Sequence, residues 1–286
     1  MTWFYLSLAG AVVWAIAALA QKNACNGEQA IQVSVASTTV WAFFALFLIP
    51  FIKIPKSLPV LALMLVSGTI FGMAYYLSSK AFKYLSTSEA SPLYNIGTAI
   101  TVVLAIIFLK EKISVMQLLG VSTIIFGTYI LEMKKGSLLS PLIRLFKSEK
   151  VHYVLFSALG YSVLAVLSKY ILGFVDPITF LFSQLIICSI FMLILSILRH
   201  GGLKDIVTGI RVHRWTILLI SVMMVVGQLF EISALNLGDA ALVMPILRMW
   251  TLIAVVVGGT YLKEGHLRNR IIATVIMLVG VFIIYL

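Results

Sequence analysis

Long uninterrupted apolar runs, such as Leu58–Leu77 and Thr216–Phe230, set what this 286-residue chain can fold into. Runs of this order approach the ~20 residues an α-helix needs to cross the hydrocarbon core of a bilayer. Backbone groups in lipid must satisfy one another, so the runs predict helices and not strands. Composition agrees. Hydrophobic residues make up 62%, charged residues only 11%, and the mean hydropathy is +1.10. A soluble domain usually carries about a quarter charged residues. The net charge of +11 is spread over short connections, and no Lys/Arg run carries interleaved aromatics. This argues for loop charge that sets topology and against a nucleic-acid partner. Cys25 and Cys188 are isolated, and His152, His200, His213 and His266 have no metal-ligand spacing, so neither a disulfide framework nor a metal centre is expected. The chain enters its first apolar run at Trp3 without a basic leader, which reads as a retained first helix.

Charge, Gly and Pro divide the sequence into ten expected spans, near 3–21, 31–52, 58–79, 88–109, 115–132, 152–171, 178–198, 214–236, 239–262 and 269–286. Two connections are longer. Residues 133–151 contain Leu138–Phe146, a candidate surface helix, and the other stretch is 199–213. With ten spans both termini share one face. That face carries Lys53, Lys56, Lys110, Lys112 and Lys169, against fifteen Lys and Arg on the opposite face. Fifteen against five predicts both termini extracytoplasmic, in a plasma (inner) membrane.

The two halves align. Ala81–Leu131 falls on Ala234–Ile284 at a constant offset of 153. Pro92 meets Pro245, Thr98 meets Thr251, Leu109-Lys110-Glu111 meets Leu262-Lys263-Glu264, and Gly127 meets Gly280. Nearer the N-terminus, at an offset of 147, Lys22 meets Lys169 and Trp14 meets Tyr161. Five spans per copy is an odd number, so the second copy enters from the opposite face. The expected fold is an all-α membrane protein of ten transmembrane helices in two inverted five-helix repeats. Residues 1–132 form the first repeat, 133–151 a cytoplasmic linker and 152–286 the second repeat. Inverted repeats place binding sites near the midplane and permit alternating access.

These residues resemble the EamA-type branch of the drug/metabolite transporter superfamily. The resemblance rests on five plus five helices, an early Pro and terminal Glu in the fourth helix of each repeat, the Gly of the fifth, and the Lys ending the first. It covers the whole chain and implies transport of a metabolite without naming one. Members often carry an Arg early in the second helix of a repeat; here Ser37–Thr39 and Gln184 stand in that region.

An ionised side chain inside a span usually faces a cavity or a partner. Arg248 is expected ~13 Å deep and Glu231 ~8 Å deep at 1.5 Å per residue. The repeat places Arg248 on Asn95, Glu231 on Ser78 and Gln228 on Tyr75. Helical spacing groups Gln228 with Glu231, Arg248 with Thr251, and Asn95 with Thr98. Arg248, Glu231, Gln228, Asn95, Ser78, Tyr75, Thr98, Thr251, Trp14, Tyr161 and Gln184 are therefore the candidate substrate-binding residues. Arg248 would meet a carboxylate or phosphate, and Glu231 an amine or a proton. The plainer alternative is a buried Glu231–Arg248 ion pair that only locks two helices. Lys22, Lys169, Glu111 and Glu264 are candidate gating or helix-end charges, with snorkelling to the interface the other reading for the two lysines. Pro92 and Pro245 each remove a helix hydrogen bond. Gly68-x-x-x-Gly72 is a close-packing motif.

The expectation is a secondary exporter of a small polar metabolite, such as an amino acid or related zwitterion or anion. It needs no cofactor, and Glu231 could couple transport to protons. Its partners are the small-molecule substrate and the lipid bilayer, and the chain is a monomer or homodimer. Efflux of hydrophobic cations and flipping of lipid-linked head groups stay open. An enzyme is not expected, since no nucleophile has a base within reach in the sequence pattern.

Overall fold

The computed structural model describes residues 2–27, 29–85, 87–132, 149–261 and 267–285. All regular structure among them is helical. The helices are α1 (Thr2–Gly27), α2 (Ala30–Leu46), α3 (Leu58–Tyr84), α4 (Thr87–Leu104), α5 (Val115–Glu132), α6 (Glu149–Ile171), α7 (Pro177–Arg199), α8 (Leu203–Leu237), α9 (Ala240–Leu247), α10 (Trp250–Tyr261) and α11 (Leu267–Tyr285). Five of these, α1, α3, α6, α7 and α8, are long and apolar enough to cross a membrane. Large apolar side chains on the outer surface, among them Phe43, Val66, Phe126, Ile194 and Phe282, are 48–61% exposed. In water that exposure would be a liability; against lipid tails it is the expected outer face.

Local chemistry sets the helix starts. Pro59 lies in the first turn of α3 and Pro177 opens α7, where a missing N–H leaves nothing unsatisfied. Asp176 caps α7: its carboxylate accepts from the Thr179 N–H at 3.0 Å and the Thr179 hydroxyl at 2.7 Å.

Several expected boundaries are corrected. The second span stops at Leu46 and passes into turns and a 3-10 segment, Ile49–Phe51. The fourth keeps its length but ends in a π-helical stretch, Ala105–Leu109, after which Lys110 adopts a left-handed conformation (φ 56°) that turns the chain. Residues 203–213 are not a loop. They are helical and continuous with α8, and the joint at His213 has non-helical dihedrals (φ −127°, ψ 37°). The ninth expected span is two helices, broken at Arg248 and Met249. Pro245 cannot donate to the preceding turn, and the backbone tightens to three-residue steps, Met249 N–H to Ile246 O and Thr251 N–H to Arg248 O, both 3.0 Å. The expected surface helix at Leu138–Phe146 lies outside the described residues.

Packing joins the two halves of the chain far more than it joins neighbours within a half. α1 lies along α8, and α3 along α6. α2 lies on α8, and α3 on α7. α4 packs on α6, and α1 on α9 and α10. α5 pairs with α11, and α2 with α7. If the first helix of one half is exchanged with the first of the other, and so on, each pairing maps onto another in this set or, for α5–α11 and α2–α7, onto itself. Serine hydroxyls bind backbone across the same seams: Ser157 to Ala74 O (2.8 Å), Ser162 to Gly97 O (2.7 Å) and Ser189 to Thr38 O (2.6 Å). Such bonds are a usual glue between helices in lipid. Small residues set the approach. Gly68 and Gly72 sit against Ile187, Cys188 and Phe191 of α7. A methyl at Gly120 would lie 2.8 Å from the Gly280 carbonyl, and one at Gly280 2.8 Å from the Gly120 carbonyl. The α5–α11 crossing therefore has no room for a side chain. Gly120→Leu and Gly280→Leu are each expected to destabilise the protein by about 1–3 kcal/mol or more, read as an earlier unfolding transition in detergent.

Candidate functional site

Between the halves lies an open cavity enclosing about 630 Å³ of empty space, its solvent-open mouth included. Its polar wall is Gln21, Ser78, Gln228, Glu231 and Arg248, and its aromatic wall is Trp14, Phe71, Phe82, Tyr94, Tyr161 and Trp250. The lining runs from Arg248 and Glu231 toward the ends of α1 and α3 at Gln21 and Phe82. At the other end of the bundle, Trp3 packs on Gly238, closing the space beside the start of α9.

Arg248 owes its place to the break in the ninth span. It is the C-cap of α9, and its carbonyl accepts from the Thr251 hydroxyl at 2.9 Å. The guanidinium lies 6.0 Å from the Tyr94 ring centroid and 5.8 Å from that of Tyr161, within cation–π range of both. Tyr94 is itself held, its hydroxyl donating to Ser78 Oγ at 2.8 Å. Glu231, one turn of α8 beyond Gln228, faces the same space and feels the Arg248 charge. Among the described residues no direct ion pair joins the two. Two polar atoms of the wall, Arg248 Nε and Gln228 Oε1, also have no hydrogen-bond partner there, while Trp14 Nε1 is turned toward Glu231. Buried polar atoms are rarely left unsatisfied, so this wall is short of a partner with both donors and acceptors.

The structure brings together Arg248, Glu231, Gln228, Ser78, Trp14 and Tyr161 from the sequence-based set. Four others lie off the wall. The Tyr75 hydroxyl is buried against Ser37 at 2.8 Å. Gln184 accepts from Gln228 Nε2 at 2.6 Å behind the wall. Thr251 is turned back onto Arg248 O, and Thr98 is buried with its hydroxyl unpartnered. Tyr75, Thr98 and Thr251 share helices with wall residues but sit on the flank that packs, whereas Gln184 belongs to α7, which lines no part of the cavity. Asn95 lies on α4 with its side chain outside those described, as is the whole of Glu264. Gln21, Phe71, Phe82, Tyr94 and Trp250 were not expected. Only Gln21, one residue before Lys22, offered a polar signal in the sequence.

The two lysines bind backbone carbonyls. Lys22 Nζ donates to Phe82 O and Leu85 O at 2.6 and 2.9 Å; Lys169 Nζ donates to Leu235 O and Gly238 O at 2.8 and 2.9 Å. Phe82 and Leu85 correspond to Leu235 and Gly238 at the 153-residue offset, so each lysine performs one task twice. It neutralises the carbonyl end of the third helix of a repeat, where a cation is favoured. Glu111 does the converse. Its carboxylate accepts from the Ala240 and Ala241 N–H groups at 2.8 and 2.9 Å, capping α9 from the other half of the chain. Asp239, at the N-cap position, makes no side-chain cap. Burial raises the Glu111 carboxyl above the usual carboxylate range; the Ala241 and Ala240 N–H groups oppose this, Asp239 adds to it and Lys169 opposes it.

A model of the EamA-like transporter family matches residues 1–133 and again 150–286. A solved structure titled "Crystal structure of protein" superposes with a TM-score of 0.73 at 14% identity, over 100% of this chain and 99% of that one, and shares its fold. No match was found among curated protein sequences.

Lys169→Met removes two charge-assisted bonds and leaves the Leu235 and Gly238 carbonyls bare. It should lower stability by about 1.5–3 kcal/mol, and Lys22→Met should do the same by the repeat. Thermal unfolding of the two variants checks this; an unchanged midpoint in both would show that the carbonyls find other donors.

Proposed function

We propose that this chain, which belongs to the EamA-like transporter family, carries a small zwitterionic or anionic metabolite, such as an amino acid, through the Arg248–Glu231 cavity by alternating access. Family membership and five helices apolar enough to cross a bilayer make it a multi-pass membrane transporter of small molecules. The substrate reading rests on one observation above the others. Arg248, buried between two tyrosine rings at a helix break, keeps its Nε without a partner in a cavity shared with Glu231. A charge in such a place is costly unless something meets it. A carboxylate opposite Arg248, with an ammonium near Glu231 and Gln228 Oε1, would satisfy all three groups at once. The same wall argues against hydrophobic cations, which Arg248 would repel. Glu231 is also the group through which protons would be coupled, in keeping with export from the cytoplasm.

Ten spans, inverted repeats divided at 133–151 and termini outside the plasma membrane belong to this reading. The reciprocal helix pairings and the paired Lys22 and Lys169 caps support the repeat. The excess of Lys and Arg on one face supports the orientation. Glu111 supplies a latch. It holds the first half to the α9 end of the second, on the side where the cavity is closed, and must let go for that side to open. Glu264 is its counterpart by sequence at the other side.

Uptake of radiolabelled amino acids, organic acids and phosphosugars by proteoliposomes identifies the class. For the class transported, Arg248→Met should weaken binding about 10- to 100-fold, the worth of a bond to a charged group. Transport by this variant with wild-type affinity would overturn the assignment. Glu111→Ala leaves the cavity wall intact, so ligand affinity should stay near wild type while the transport rate changes. A variant unchanged in both would remove the latch from the cycle.

A further inference from the structure

The first turns of α8 are a second feature that the sequence concealed. Gly202 (φ 61°) ends α7 sharply, and the chain re-enters a helix at Leu203 that runs to the joint at His213 before the spanning part of α8 begins. One face of this segment is fixed inward. A methyl at Gly209 would lie 2.7 Å from Gln32 O of α2. Asp205, one turn earlier, is buried. Its carboxylate accepts from the Ser196 hydroxyl at 2.7 Å, the Gly201 N–H at 2.9 Å and the Gln32 amide at 3.5 Å.

With Asp205 and Gly209 inward, helical geometry turns Leu203, Val207 and Ile210 outward. They are 66%, 63% and 36% exposed, and the stripe continues into Trp215 at 70%. Lys204 and Arg211 flank that stripe, and Arg199 and Arg214 stand at its two ends, all four exposed. Asp205 is the sole acidic residue from Arg199 to Trp215, and it is turned away and already bonded. The outer face is thus an apolar stripe with Lys204 and Arg211 along one side and no acidic residue beside it, continuous with the exposed apolar belt of the spans. That is the pattern of a helix lying in the plane of a membrane interface.

We propose that Leu203–Val212 is an interfacial helix that docks acidic phospholipid, its apolar stripe in the acyl boundary and Lys204, Arg211 and Arg214 on the phosphates. Charge complementarity selects the occupant: a zwitterionic headgroup has a cation of its own that these residues repel, whereas an anionic leaflet attracts each of them. The helix also joins α8, which carries Gln228 and Glu231, to the lipid surface, so headgroup composition bears on the rigid element behind the cavity. The site stands independently of what the cavity carries.

Native mass spectrometry and thermal unfolding, with phosphatidylglycerol against phosphatidylcholine, test this on the full chain. Phosphatidylglycerol should be retained preferentially and raise the unfolding temperature, and added salt should erode both effects in the unaltered protein. The triple variant K204Q/R211Q/R214Q should lose acidic-lipid affinity about tenfold or more, while K204R/R211K/R214K keeps it. Equal retention of the two lipids by the unaltered protein, retention insensitive to salt, or a neutral triple variant that holds phosphatidylglycerol like the parent would each overturn the proposal.

Discussion

Every backbone N–H and C=O in a bilayer needs a partner, and the places where a helix cannot supply one determine how this protein is built. Helix ends are such places. Lys22 and Lys169 reach across from the first helix of each repeat to the carbonyl end of the third, and Glu111 reaches across the halves to the amide end of α9. None of these groups is spare charge at the interface. Each closes a helix end that would otherwise face lipid or stay unsatisfied among apolar side chains, which is expensive. The Glu111 bonds also tie the first half of the chain to the second, so a group that closes a helix end joins the halves as well.

The break at Arg248 and Met249 is the exception that makes a site. Here irregular backbone is tolerated because it is enclosed by α1, α4 and α6 and not by lipid. The break aims Arg248 into the cavity instead of along a helix flank, and Thr251, bonded to the Arg248 carbonyl, steadies it. Tyr94 and Tyr161 offer ring faces, which attract a cation without neutralising it. A carboxylate in that position would have sealed the charge into a structural pair. Glu231 shares the cavity, and among the described residues no ion pair joins it to Arg248.

Much of this was legible in the sequence because the repeat carries physical information twice. Lys22 and Lys169 occupy matched positions and perform matched tasks, and Trp14 and Tyr161 both reach the cavity wall. Arg248, Glu231 and Gln228 were visible because charged and amide groups are rare within apolar runs. Periodicity failed where crossing geometry decides which side of a helix faces the cavity. Tyr75 is polar, central and on a helix that lines the cavity, yet it bonds behind the wall, and Gln184 sits on α7, which does not reach the cavity at all. Tyr94, Phe82 and Trp250 look like packing residues in any apolar run, so nothing in the sequence marked them. The helix at 203–212 was hidden for a similar reason: its charge density resembled a loop until burial of Asp205 showed which face was inward.

The halves are alike where the fold needs them to be and unlike at the cavity. Reciprocal pairings, matched lysines and a shared Pro serve architecture, and each survives exchange of the repeats. Arg248 against Asn95 and Glu231 against Ser78 do not survive it, and the charged member of both pairs lies in the second half. A two-fold cavity would offer any ligand two equivalent poses. Charge on one side removes that degeneracy, so a ligand with a distinct anionic end would have a single preferred orientation there. Symmetry in the scaffold and asymmetry in the wall are therefore separate features, the first carried by packing and the second by charge.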